Sequence, residues 1–171
     1  AEVRRQIGYA PEHENTFDQL TALELVTVLG QLAGIASHRA AAAAREALVA
    51  TGLEAAMNRQ VKGFSKGMKQ RTKLAGAMVH APTFLLLDEP LTGVDPMARI
   101  DILNQVRALA AAGTTVVVST HVLTEIEALT NRILVLYQGQ VLAEGDIGAI
   151  RQLIDKRPHR IPLFRRIGRP D

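Results

Sequence analysis

An α/β fold carrying a mostly parallel sheet is predicted by three features of this 171-residue sequence. Segments of helical period alternate with two apolar runs, Phe84-Leu85-Leu86-Leu87 and Thr115-Val116-Val117-Val118, that read as strands buried on both faces. Both runs end in polar residues, Asp88-Glu89 and Ser119-Thr120-His121, at the strand end where open α/β sheets bind ligands. Gln138-Gly139 between two further strand-like runs adds a hairpin, expected at an antiparallel edge.

The elements follow in order. A first strand is expected over Gln6-Ile7-Gly8-Tyr9, ended by Pro11. Thr21 opens a helix with Leu25, Val28, Leu29 and Leu32 on its apolar face and Gly34 near its end. An Ala-rich helix runs from about Ser37 to Thr51 and stops at Gly52. Ser65 caps a helix reaching about His80. After the Phe84–Leu87 strand, Asp95-Pro96 supplies an N-cap and a first-turn proline. That helix has Met97, Ile100, Leu103, Val106 and Ala110 as apolar positions and ends at Gly113. A short helix from Val122 to Leu129 leads to hairpin strands over Ile133–Tyr137 and Gln140–Ala143.

Composition narrows the function classes. At 47% hydrophobic and 22% charged residues the chain matches ordinary globular proteins, which argues against disorder. No uncharged stretch approaches the ~20 apolar residues that cross a bilayer. No secretory leader is expected behind Ala1-Glu2-Val3-Arg4-Arg5. Zero Cys removes disulfides, thiolate zinc sites and thiol nucleophiles, and fits a reducing, cytoplasmic setting. The net charge of +3 is uneven: residues 1–150 hold 13 Lys+Arg against 15 Asp+Glu, residues 151–171 hold 7 against 2. A basic groove for nucleic acid is therefore not expected.

Four segments carry candidate chemistry. Asp88 and Glu89 close a buried strand. They read either as a strand turning polar as it surfaces, or as a site in which Asp88 holds Mg²⁺ and Glu89 takes a proton from an attacking water. In Ser65-Lys66-Gly67-Met68-Lys69-Gln70-Arg71, Ser65 is an adequate N-cap by itself. Gly67, however, costs roughly 0.8–1.0 kcal/mol relative to Ala in a helix interior, which makes sense if something approaches the backbone closely. Lys66, Lys69, Arg71 and Lys73 crowd the positive end of the helix dipole, a conflict that an anion would relieve. His121 follows the second strand, where a lone histidine reads as structural or as part of the Asp88–Glu89 edge. Asp95 in Leu91-Thr92-Gly93-Val94-Asp95-Pro96 is explained as an N-cap.

In this order and spacing the segments resemble the nucleotide-binding domain of ABC transporters from about Val3 to Ile150. Phe64–Met68 is similar to the signature motif, Leu85–Glu89 to the Walker B strand, Leu91–Asp95 to the D-loop and His121 to the switch histidine. The resemblance implies a P-loop NTPase-like sheet with a helical signature subdomain. It divides residues 1–150 into a Q-loop and helical part (12–80) and a part with Walker B, D-loop, switch histidine and hairpin (81–150), followed by a basic tail or linker (151–171). It also implies ATP and Mg²⁺ as ligands and two domains paired head to tail around two ATP molecules. A transmembrane permease is the implied partner, at the cytoplasmic face of the membrane, with an export-type role suggested by Thr92–Pro96 and Val141–Gly145. In that scheme Ser65, Lys66 and Gly67 meet the γ-phosphate held by the partner domain, Asp88 holds Mg²⁺ and Glu89 polarises water. His121 contacts the γ-phosphate and Asp95 shapes the interface. Phosphoryl transfer by positioning and electrostatics is the implied chemistry.

Three departures matter. No Gly-x-x-x-x-Gly-Lys-Ser/Thr run occurs in the 171 residues. The resemblance places that loop upstream of the first strand, in an N-terminal part expected to be missing, so this chain alone is expected neither to bind ATP tightly nor to hydrolyse it. Glu12 stands at the Q-loop where the family usually has Gln, with Gln6 a poor substitute inside the strand; it reads as a carboxylate near the metal or as a solvated turn. Lys66 and Met68 replace the family's common Gly and Gln. From Arg151 onward, Arg157, Arg160, Arg165, Arg166 and Arg169 among prolines read as an extended linker or as a tail attracted to anionic membrane at ~1 kcal/mol per basic residue. A non-transport ABC ATPase and a short non-catalytic paralogue are the alternative readings.

Overall fold

A computed structural model describes residues 2–13 and 17–156. They form two compact units, the first ending at Glu125 and the second beginning at Ile126.

The first unit is built on a parallel three-stranded sheet of β1 (Ile7–Ala10), β2 (Phe84–Asp88) and β3 (Thr115–Ser119), with β2 central. Register is in phase across all three strands, with Ala10 opposite Leu87 and Asp88 opposite Ser119. Gln6 does not belong to β1, being the last residue of the short helix α1 (Glu2–Gln6). The strands are less enclosed than their apolar composition implies. In β2 only Leu85 and Leu87 are fully buried, and β3 alternates between exposed and half-buried, with Val117 exposed. Burial alternates along each strand, and β3 has a strand neighbour on one side only among the described residues.

Helices α2 (Ala22–Leu32), α3 (Ser37–Ala50) and α4 (Lys66–Met78) pack together around Val26, Ala44, Leu48, Leu53, Phe64 and Ala75. Thr21 caps α2 in a reciprocal capping box. Its backbone N–H donates to Glu24 Oε2 at 2.8 Å and its hydroxyl does so at 2.9 Å, and these bonds hold the Glu24 carboxyl below the usual carboxylate range. The buried stripe of α2 is Ala22, Val26 and Gly30, at i, i+4, i+8; Val28 and Leu32 of the expected face are exposed. Small residues win the inward face because α3 and α4 both approach α2 closely. The same close packing joins α4 to the sheet: a Cβ on Gly8 would collide with the Ala77 carbonyl oxygen.

Helix α5 (Pro96–Ala111) begins at the Asp95 N-cap, whose Oδ1 accepts the Ala98 N–H at 3.0 Å. It buries Ala98, Ile102, Leu103 and Val106, while Met97, Ile100 and Ala110 are exposed. The inward stripe thus follows i, i+4, i+8 from Ala98 instead of starting at Met97. The helix after β3 is a short α6 (Leu123–Glu127), starting within the first unit.

The second unit holds the antiparallel hairpin β4 (Arg132–Tyr137) and β5 (Gln140–Asp146), turning at Gln138 (φ 48°) and Gly139 (φ 74°). It forms a two-stranded sheet of its own and not an edge of the parallel sheet. Helix α7 (Ile147–Lys156) follows, so the expected extended tail is helical over its first six residues. Arg157, Arg160, Arg165, Arg166 and Arg169 lie outside the described residues. None of the described helices is long and apolar enough to cross a membrane.

Candidate functional site

Parallel pairing of β2 with β3 carries Asp88, Glu89 and, two residues past Ser119, His121 to one edge of the sheet. Ser119 is the hinge of this edge. Its hydroxyl donates to Asp88 Oδ1 at 2.5 Å and accepts the Glu89 N–H at 3.3 Å, while its carbonyl accepts the same N–H at 3.1 Å. The second Asp88 oxygen lies 3.5 Å from the Tyr9 hydroxyl on β1.

Glu89 adopts φ 47°, the left-handed region that non-glycine residues rarely occupy. Such a conformation costs on the order of 1–3 kcal/mol and persists only where its surroundings over-determine it. They do so here. Beyond the two contacts from Ser119, the Glu89 carbonyl accepts a hydrogen bond from Gln70 Nε2 on α4 at 3.3 Å. Thr92 Oγ1 donates to Glu89 Oε2 at 3.0 Å, and His121 Nδ1 lies 2.8 Å from Glu89 Oε1. A carboxylate only accepts, so Nδ1 carries the hydrogen and Nε2 is left for another partner. That hydrogen bond, then the Glu89 charge, raises the His121 pKa above its ordinary value; desolvation opposes, and Glu125 and Glu12 add smaller contributions to the rise.

The start of α4 supplies the second half of the predicted site. Ser65 is exposed and caps the helix, its Oγ accepting the Met68 N–H at 3.2 Å. Gly67 is buried, and a Cβ there would stand 2.7 Å from Ala98 Cβ and 3.5 Å from Asp95 Oδ2. What approaches the Gly67 backbone in this chain is therefore the first turn of α5. Three of the four nearby cations have acceptors within the fold: Lys69 lies 3.8 Å from Asp18, Arg71 3.9 Å from Asp101, and Lys73 donates at 2.9 Å to the Pro11 and Glu12 carbonyls. The electrostatic conflict read from the sequence is thus largely relieved internally. Lys66 is exposed and its chain runs over Gly93. Glu12, Lys66 and Gln70 line one cleft of about 240 Å³ together with His13, Lys73 and Thr92. The Ser65 hydroxyl makes no hydrogen bond to Asp88, Glu89 or His121.

The donor set at the edge is one that a hard divalent cation accepts. No cluster of three or more His, Cys, Asp or Glu among the described residues could hold a metal by itself. Asp88, oriented by the Ser119 hydroxyl, instead suits a Mg²⁺ that arrives with phosphate oxygens and keeps its waters. Residues that the sequence did not single out for this site are Ser119, Thr92 and Gln70, which hold Glu89, and Glu125, buried against Thr120. Ser119, Thr92 and Gln70 all stand in the motif segments read from the sequence, Gln70 in the Ser-x-Gly-x-x-Gln-Arg pattern; what the sequence does not supply is the contact of each with Glu89.

Comparison with known proteins shows the family and the fold. Residues 1–92 match the family model described as "ABC transporter". The chain is 35% identical over 149 residues to an uncharacterised ABC transporter ATP-binding protein of Bacillus subtilis, covering 87% of this chain and 50% of the relative. It is 37% identical over 161 residues to a daunorubicin/doxorubicin resistance ATP-binding protein of Streptomyces peucetius, covering 94% and 49%. A Nod factor export ATP-binding protein of Burkholderia thailandensis is 38% identical over 152 residues, covering 89% and 49%. The chain thus spans about half the length of these curated relatives. Among solved structures, an ATP-binding subunit of an ABC transporter superposes with a TM-score of 0.73 at 29% identity, covering 90% of this chain and 64% of that one. A dimeric bacterial ABC transporter cassette gives 0.73 at 28%, covering 84% and 64%. With a family model matching more than half of its residues and the same α/β architecture in its structural neighbours, the chain belongs to the ABC transporter family.

Proposed function

We propose that this chain is part of the ATP-hydrolysing subunit of an export-type ABC transporter, working as one of two domains paired head to tail. The observation that carries the reading is the over-determined Glu89 at the end of β2, hydrogen-bonded to His121 beside an Asp88 that Ser119 orients. Glu89 is assigned to polarise the attacking water: both its oxygens are already aimed by His121 and Thr92, yet a carboxylate retains further lone pairs. His121, with Nε2 outward, is assigned to the terminal phosphate. Mg²⁺ would neutralise charge on the transferred phosphoryl group, and Asp88 would hold it. The exposed Ser65 turn, with Lys66 and the Gly67 backbone, is assigned to the nucleotide of the partner copy, with Asp95 and its loop at the interface. Glu12 faces the same cleft as Lys66 and would border the metal side of the site.

Support for the transport role comes from the relatives, whose names include drug-resistance and Nod factor export proteins. A transmembrane permease as partner and a peripheral place on the cytoplasmic face belong to this reading. The test is made with the complete subunit. Glu89→Gln should lower ATP turnover by 10²-fold or more while ATP binding persists. Full turnover in that variant would remove Glu89 from its assigned role. Because these 171 residues hold no Gly-x-x-x-x-Gly-Lys-Ser/Thr run, they are expected to show no turnover by themselves.

A further inference from the structure

We infer that Gln70 is a positioning residue that holds the backbone of Glu89 in its left-handed turn and so aims the carboxylate. Gln70 lies one turn into α4, the helix that begins at Ser65, and its side chain crosses to the end of β2. A backbone carbonyl can only accept, so the group facing it at 3.3 Å is the Gln70 amide NH₂. Glu89 at φ 47° would relax towards ordinary backbone angles without bonds on both sides of its peptide unit. Ser119 holds the N–H side; on the carbonyl side the Thr92 N–H donates from within the turn at 3.2 Å, and Gln70 at 3.3 Å is the donor that ties the turn to α4.

The position of Gln70 gives the contact a further consequence. The same rigid helix presents Ser65 outward and fixes Glu89 inward. If Ser65 grips a nucleotide carried by a second copy, any shift of α4 on gripping reaches the chain's own Glu89 through one side chain. This rests on the assignment of Glu89 and Ser65 made above, and the experiment separates the two claims.

Gln70→Met keeps the length of the side chain and removes the donor. In this chain, without nucleotide, the reporter is His121, whose titration midpoint depends first on its hydrogen bond to Glu89. Glu125 and Glu12, the other carboxylates acting on it, are left in place. Followed by histidine NMR, the midpoint in Gln70→Met should fall towards that of Glu89→Gln. A midpoint unchanged from the parent overturns the proposal. In the complete subunit, Gln70→Met should lower kcat about tenfold or more with ATP affinity retained, and should cost nothing further in a Glu89→Gln background. An equal loss in both backgrounds would mean that Gln70 acts elsewhere and would overturn the proposal as well. Full turnover in Glu89→Gln defeats the assignment of Glu89 and leaves the NMR result standing on its own. Should Gln70→Met not fold, Gln70→Asn, polar but one methylene short of the carbonyl, is expected to give the same fall in midpoint, and its absence would equally count against the inference.

Discussion

His121 Nδ1 stands 2.8 Å from Glu89 Oε1 although 32 residues separate them, and the imidazole remains 74% exposed. Exposure limits the strength of the pair, but it makes the pair measurable. The bond to Glu89 raises the His121 pKa, so the imidazole should titrate above the ordinary value of about 6.5. The sign follows from linkage: a raised folded-state pKa contributes stability that is fully present below the unfolded value and is lost as pH rises through the folded one. Histidine NMR on the parent chain should show the higher midpoint, and Glu89→Gln should bring it down. Equal midpoints in the two proteins would contradict the contact.

Gly67 invites a stability test. Alanine is favoured over glycine by about 1 kcal/mol in a helix interior. Yet the new Cβ would sit 2.7 Å from Ala98 Cβ, and both atoms are anchored to backbone, so neither can rotate away. Overpacking of this kind costs typically 1–3 kcal/mol, which exceeds the helix gain. Net of that gain, Gly67→Ala should destabilise the chain by about 1 kcal/mol, and by no more than about 2 kcal/mol, in urea unfolding. Combined with Ala98→Gly it should cost less than the sum of the two single changes. Strict additivity would show that the helices do not meet there.

The places where sequence sufficed and where it failed have a common cause. Caps and turns are local: Thr21, Ser65, Asp95-Pro96 and Gln138-Gly139 act on backbone groups a few residues away, and each stands where its pattern puts it. Which side of a helix is buried depends on what lies across from it. Periodicity identified the Leu25–Val28–Leu32 stripe, but the neighbours of α2 press on Ala22, Val26 and Gly30, leaving Leu32 80% exposed. Likewise Phe84–Leu87 and Thr115–Val118 show their apolar content in sequence but not how many faces are covered. The strand ends could be brought to one sheet edge from the α/β pattern. The turn at Glu89 could not, because nothing local marks a glutamate for φ 47°; its causes are Ser119, Gln70, Thr92 and His121, all but Thr92 distant in sequence.

Ser119 should govern metal dependence more than affinity for nucleotide. Its hydroxyl fixes Asp88 Oδ1 at 2.5 Å, while Oδ2 has only the long 3.5 Å contact with the Tyr9 hydroxyl. Removing a group that orients a ligand costs on the order of 10–100-fold in metal affinity or activity. In the complete subunit, Ser119→Ala should raise the Mg²⁺ concentration for half-maximal turnover by about tenfold. Glu12→Gln should shift the same curve if the carboxylate borders the metal. An unmoved Mg²⁺ curve in either variant would take that residue out of the metal's surroundings.

Glu125 anchors the loop that carries His121. It is 5% exposed, accepting the Thr120 hydroxyl at 2.8 Å on Oε2 and pairing Oε1 with Arg99 at 3.2 Å. The two ends of this pair are unequal, because the Arg99 side chain is 39% exposed. Losing Glu125 leaves a cation that water can reach. Losing Arg99 leaves a buried carboxylate with one hydroxyl donor, and uncompensated buried charge is the costlier outcome at 3–5 kcal/mol when both partners are fully buried. Discounted for the exposure of Arg99, Arg99→Met should cost about 2–3 kcal/mol and Glu125→Gln about 1 kcal/mol in urea unfolding. The reverse order would mean that Glu125 does not depend on Arg99 for its burial, and that Thr120 alone holds the loop.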